Sequence, residues 1–463
     1  MPVRSFILAL FVLFLLGRYA PIALAQDVGE IEAIKKNDRI LILAPHPDDE
    51  TIGCAGVIQQ ALKAGSEVRV VYLTNGDHNQ FAFIVYEKRL TFRRSEFIHM
   101  GLVRRQEAIE AMRLLGLGQD KLTFLGYPDN GTFTIFSRYW QAKKPFRSLL
   151  TRISRVPYKT DFSFAAPYVG ESILNDLKKV ILNYKPTKIF VSHPADVNVD
   201  HRALYLFLQV ALWDLGRQIP KAKVYPYLVH WVGWPRPRNY HPGISLEPPQ
   251  NFRDSQIRWS RASLTPEQLE RKRQAILCSK SQTSTSASYL LSFARRNELF
   301  GDYPEIELNR QVSLKERMAE FFAFSKMFAI SEKGVSANSK LAQGQEEVSC
   351  AILDNHLLIR VAKNEELNHT FSVVFYIFGF SNKRPFAAMP KIRIVTRHTR
   401  FRAYDGRKRL NGALLRLDLH PRELILRVPL DMLGNPDFIL LSAKAYAGKL
   451  PADATGFKRI IIK

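Results

Sequence analysis

Residues 39–56 read RILILAPHPDDETIGCAG. An apolar run, Ile40 to Ala44, breaks off into His46-Pro47-Asp48-Asp49-Glu50. Three acids and a histidine in five positions cannot continue a buried strand, because unpaired charge in a core is costly. They read as the turn between that strand and the amphipathic stretch Gly53–Lys63. In open parallel sheets ligands gather outside the carboxyl ends of strands, so such a turn is where chemistry belongs. No GxGxxG follows the strand, which speaks against a dinucleotide site.

Outward from this stretch the pattern repeats. Arg39–Ala44, Glu67–Leu73, Lys121–Leu125, Lys188–Ser192 and Val224–His230 are strand-like, and Gly53–Lys63, Arg104–Leu115, Ser172–Tyr184 and Arg202–Leu215 are amphipathic. The alternation predicts an α/β fold, a mostly parallel sheet with helices on both faces. Two segments, Asn75–Val103 and Gly131–Gly170, break it and are rich in aromatics. Loops of that length are functional or ordered insertions. Their rings either stack on sugar or pack the insertions onto the core. Further on, Thr265 as N-cap, Pro266 at the first position and Gln268 closing a capping box predict a helix over Thr265–Leu277.

A chain of 463 residues is too long for one ordinary core. The division read from composition is 1–25 signal peptide, 26–330 first domain, 331–347 small polar linker and 348–463 second domain. The runs HLLIRVAK, FSVVFYIFGF, KIRIVT and LILRVPL in the tail predict a β-sandwich. It resembles sandwich modules that bind carbohydrate, and a structural appendage is the alternative. At the start, Arg4, the apolar run Phe6 to Leu16 and Ala23-Leu24-Ala25 follow the pattern of a secretory signal peptide. The expectation is a secreted, periplasmic or cell-surface protein with no transmembrane span after cleavage, retention as an anchor being the alternative. Cys54, Cys278 and Cys350 form no CxxC pair, so neither a disulfide framework nor a thiolate metal site is indicated. A net charge of +24 favours anionic partners, for an exported protein a cell-surface polymer or headgroups. No nucleic-acid motif accompanies the charge.

A second cluster, SHPADVNVDHRALY at 192–205, follows the strand-like Lys188–Ser192. Two imidazoles and a carboxylate around one ion make a catalytic zinc shell with an open position. A further carboxylate can then take a proton from water that the ion has acidified. One Asp for the metal and one for the proton is the economical division of Asp48 and Asp49.

APHPDDE and DVNVDHRA resemble the LmbE-like, or PIG-L, family of zinc-dependent de-N-acetylases over about residues 38–230. RRQEAIEAMRLLGL and FLGYPDNG extend the likeness. The resemblance implies a Rossmann-like fold and hydrolysis of the acetamide of N-acetylglucosamine-type sugars. It implies that His46, Asp49 and His201 bind one zinc ion, or another divalent metal, and that Asp48 is the general base. It further implies that Arg104 and Asp129 hold substrate and that Asp200 lies beside the transition-state oxygen. Where the family often carries an oxyanion-stabilising histidine, this chain has Asn198. Its amide can donate to an oxyanion, but it cannot act as a protonated acid. Either Asp48 returns its proton to the amine, or His193 folds inward to replace the histidine. Glu50 is left as a support of the turn.

The expected activity is removal of an N-acetyl group from an amino sugar in a glycan or glycoconjugate. Two alternatives stand beside it: an amidase for another sugar-conjugate amide, and a glycan-binding surface protein with a vestigial metal site.

Overall fold

The computed structural model describes residues 28–88, 90, 93–141, 143–252, 257–310, 346–363, 366–367, 370–397, 399–447 and 450–463. The signal-peptide reading of 1–25 lies outside them, as does the linker reading up to residue 345. Among the described residues no helix is long and apolar enough to cross a membrane.

The first layer is an eight-stranded sheet built from β1 (Gly29–Glu30), β2 (Arg39–Ala44), β3 (Glu67–Thr74), β4 (Leu122–Tyr127), β5 (Lys188–Ser192), β6 (Lys223–Tyr227), β7 (Arg258–Ser263) and β8 (Asn297–Asp302). Its order is β1-β7-β8-β6-β5-β2-β3-β4, and β8 alone runs against its neighbours. From β2 the chain moves outward to β3 and β4, then returns to place β5 on the other side of β2. That reversal is the switch point where open α/β sheets bind ligands. It lies between the two strands that precede the charged clusters.

Five predicted strands are found, two of them to the residue, because continuous β-branched runs buried on both faces leave little ambiguity. The helices are α1 (Asp49–Lys63), α2 (Gln80–Glu87), α3 (Arg94–Leu114), α4 (Thr132–Arg138), α5 (Gly170–Tyr184), α6 (Val199–Leu215), α7 (Pro266–Cys278) and α8 (Lys280–Leu290). The capping box of α7 is present with both reciprocal bonds. The two segments read as long loops instead contain α2, the first ten residues of α3, and α4. Phe83, Phe136, Trp140, Tyr158 and Tyr168 are buried, so most of their aromatics pack the insertions onto the core. Phe81, Phe162 and Phe164 remain exposed.

The tail forms two facing sheets. The smaller holds β10 (Glu346–Leu353), β11 (His356–Lys363), β16 (Arg416–His420) and β17 (Glu423–Pro429). The larger is centred on β12 (Phe371–Phe380) and β18 (Phe438–Ala447), with β13 (Lys391–Arg397), β14 (Arg400–Asp405), β15 (Lys408–Arg409), β19 (Leu450–Ala454) and β20 (Lys458–Ile462). Its last strand is β9 (Ile306–Leu308), paired in parallel with β20. The first domain, drawn to residue 330, therefore gives up its final strand to the second. No motif marks such a swap, since three residues with period two carry almost no signal.

Alternation along β12 explains how the two parts join. Phe371, Val373, Phe375 and Ile377 face the smaller sheet, while Phe378 and Phe380 face the first domain. There Phe136 meets Phe378 at 5.1 Å between ring centroids, and Trp213 stacks on Phe438 at 5.0 Å. Phe457 bonds through its N–H to Pro194 O and packs against Phe133. The sandwich thus leans on the loops after β4 and β5. None of its described aromatic rings is fully exposed.

Candidate active site

His46 and Asp49 stand at the end of β2, where Pro47 turns the chain into α1. His201 stands on the first turn of α6, after β5. Asp49 Oδ2 lies 3.1 Å from His46 Nδ1 and 3.1 Å from His201 Nε2. All three residues are buried. Although burial opposes it, His201 and His46 hold the Asp49 carboxyl well below its ordinary range. The His201 imidazole is correspondingly raised to about 9, because Asp196 and Asp49 outweigh its desolvation.

These residues fit a divalent metal. His201 Nε2 is buried and has no aligned hydrogen-bond partner among the described residues, although a carboxylate oxygen is near it. Two imidazole nitrogens and one carboxylate oxygen lie within one ion's reach, the donor set of a catalytic site with an open position. Each of the two histidines is also backed by a carboxylate, as metal-binding histidines commonly are. His46 Nε2 lies 3.2 Å from Asp129 Oδ1 and 3.4 Å from Asp200 Oδ2, and His201 Nδ1 lies 3.2 Å from Asp196 Oδ2.

Asp48 is the member of the turn that stays partly open. Its φ of 130° and ψ of −30° lie in a region that non-glycine residues seldom visit. Strain of this kind persists where surroundings enforce it. Here Glu50 Oε2 accepts the Asp48 N–H at 2.9 Å, and Arg104 donates to Pro47 O at 2.8 Å. Arg104 also donates to Gly76 O and lies 3.2 Å from Asp48 Oδ2. Gly76 has a φ of 70°, and a Cβ there would strike the Arg104 guanidinium. Burial lifts Asp48 to about 7, against the pull of Arg104.

The remaining assignments are partly redrawn. Asp129 sits on the rim with His78 N–H donating to it. Its carboxyl is held below the ordinary range, chiefly by His46 acting against burial. Arg104 is only 4% exposed and braces the turn instead of standing free for substrate. Asp200, expected beside a reacting oxygen, is fully buried; it accepts Asn130 N–H, Thr132 N–H and the Thr132 hydroxyl, and it backs His46. Asn198 is the N-cap of α6, its Oδ1 taking the Asp200 N–H at 2.8 Å. Its Oδ1 is thereby committed to the cap, and the residue is partly exposed. Glu107 bonds to Ser281, not to Arg104.

His193 does not fold inward. Its ring stacks on Trp259 at an interplanar angle of 10°, with Phe252 and Tyr303 around it. Burial pushes it down to about 3, so it is neutral there. The imidazole that does reach the site is His230, its ring centroid 4.7 Å from that of His201. Sequence reasoning passed over it, although its place just after β6 was the available signal.

Glu50 carries a testable consequence. Burial raises its carboxyl from 4.5 to about 8. Between those values the unfolded chain loses a proton that the folded protein keeps, so stability falls as pH rises across the window. Glu50→Gln cannot titrate. Its melting temperature should fall less than that of the wild type between about pH 5 and pH 8. Parallel curves would contradict the assignment.

Residues 41–212 match the model of the PIG-L family, described as GlcNAc-PI de-N-acetylase. No curated protein matches the chain. Among solved structures, the chain is similar to N,N'-diacetylchitobiose deacetylase from Pyrococcus horikoshii, at 20% identity over 57% of this chain and 82% of that one, with a TM-score of 0.36. It is similar to the zinc-inhibited form of a teicoplanin deacetylase, at 16% identity over 57% and 97%, with a TM-score of 0.36. It is also similar to 4-carboxy-2-hydroxymuconate hydratase from Pseudomonas putida, at 16% identity over 60% and 98%, with a TM-score of 0.34.

Proposed function

We propose, from the match of residues 41–212 to the PIG-L family model, that this chain removes the N-acetyl group from an amino sugar within a glycan or glycoconjugate. The observation that carries the proposal is the pairing of a partly open Asp48 with three buried residues spaced for one metal ion. His46, Asp49 and His201 would hold the ion, zinc by the character of the donor set. When bound, such an ion polarises the amide carbonyl and acidifies water.

The protein's own groups do the rest. Asp48, with its proton affinity near neutrality, takes the proton from the attacking water. Asn198, which takes the position of the oxyanion-stabilising histidine in the family resemblance, would donate from its amide to the oxygen that becomes negative. Since neither Asn198 nor His193 supplies a proton, protonated Asp48 returns it to the departing amine. Export is proposed on the N-terminal pattern alone, Arg4, the apolar run and Ala23-Leu24-Ala25.

The test is acetate release from N-acetylated oligosaccharides by protein loaded with one equivalent of zinc, then stripped by a chelator. Release that stops on stripping and returns with metal is expected. A protein that takes up no metal and releases no acetate, yet binds the glycans, would put the binding reading in its place.

A further inference from the structure

His230 has no place in the mechanism above. Two features fix its ring. Asp196 Oδ2, which lies 3.2 Å from the ligand His201 at Nδ1, also accepts the backbone N–H groups of Val229 and His230, at 3.1 and 2.9 Å. One carboxylate therefore sets both the ligand and the histidine beside it. On the other side Tyr289, from α8, stacks on the His230 ring at 19°, and its hydroxyl lies 3.3 Å from His230 Nδ1.

The Tyr289 hydroxyl has a single proton, and it donates that proton to Val229 O at 2.7 Å. It can therefore only accept from His230, which places the imidazole hydrogen on Nδ1. Nε2 is left with its lone pair. It makes no hydrogen bond among the described residues, and the residue is partly exposed. An acceptor without a partner among the described residues, with an enforced tautomer and in edge contact with His201, is more than packing demands. Like Asp48 and Asp129, His230 is partly exposed, whereas the three metal-spaced residues are buried.

We propose that His230 is a specificity-determining residue whose Nε2 accepts a hydrogen bond from the substrate, with Tyr289 positioning its tautomer. The donor is the amide N–H of the acetamido group or the hydroxyl on the carbon beside it. Both are borne by an N-acetylated amino sugar, so the inference rests on the proposed function. It places an imidazole at the rim from β6, where the family resemblance looks for one at the cap of α6.

The experiment has three readouts on zinc-loaded protein. Nitrogen-15 spectra of the wild type, without substrate, should show His230 protonated at Nδ1. His230→Ala should raise KM for an N-acetylated oligosaccharide roughly tenfold, with kcat within about twofold and metal content unchanged. Tyr289→Phe should raise KM less, in the same direction. A deoxy analogue lacking the neighbouring hydroxyl and an N-methylacetamido analogue separate the two donors. The analogue missing the bonded donor should give the same KM with wild type and His230→Ala. The proposal is overturned by an Nε2-protonated ring, by an unchanged KM, by a loss that follows metal loss, or by a difference that survives in both analogues. Wild type that releases no acetate would instead defeat the functional reading, while the spectra still report on the tautomer.

Discussion

Asp48→Asn should lower acetate release by about 10²–10⁴-fold while the protein still binds one metal ion per chain. The substitution keeps the shape of the side chain and removes its ability to take a proton. Asp48 is not among the three residues within metal distance of one another, so metal content should hold. The backbone strain at this position is enforced by Glu50 and Arg104, whose bonds reach Asp48 N–H and Pro47 O and do not depend on the Asp48 carboxylate. The variant should therefore fold. Burial sets the carboxyl near 7, so wild-type turnover should rise with pH as the proton leaves. Acetate release and metal analysis on the same preparation decide the matter. Equal release by both proteins would remove Asp48 from the chemistry, and loss of metal would make it a ligand instead.

Much of this site was legible because the ligands lie next to strands whose burial makes them unmistakable. Ile40 to Ala44 and Ile189 to Val191 are wholly buried, and a chain that ends such runs in charge announces a strand's carboxyl end. What could not be read was orientation. Asp200 and Arg104 were recognised as members of the site, but which way each side chain points is decided by partners far along the chain. Thr132 and Asn130 claim the first, and Pro47 and Gly76 claim the second. His193 and His230 show the same limit. Both follow strands, and only the aromatic cage of Trp259, Phe252 and Tyr303 on one, and the Asp196 clamp on the other, separates them. The helices α2 and α4 were missed because they are short and their burial is decided by what packs on them.

The same dependence on distant partners governs stability in α1, the helix that begins with Asp49. Lys272, on α7, and Glu298, on β8, form a wholly buried ion pair at 2.7 Å inside its ladder. Lys272 Nζ donates to Ile52 O, and Glu298 accepts the N–H groups of Gly56 and Val57. The acceptor at Ile52 and the donor at Gly56 are the two that a regular helix joins to each other. Lys272→Met keeps length and apolar volume but strands the Glu298 carboxylate in the core. Breaking a buried pair from one side typically costs about 3–5 kcal/mol, and that loss is the expectation here. Lys272→Met combined with Glu298→Gln should recover much of it, since the neutral amide still accepts from Gly56 and leaves no lone charge. Chemical denaturation of the three proteins measures both steps. A single variant within about 1 kcal/mol of wild type would mean that water or a neighbouring group compensates Glu298. Because the turn at Asp48 is fixed separately by Glu50 and Arg104, the folded fraction of Lys272→Met should keep its metal. Stability and site geometry are then separable in α1, although one helix carries both.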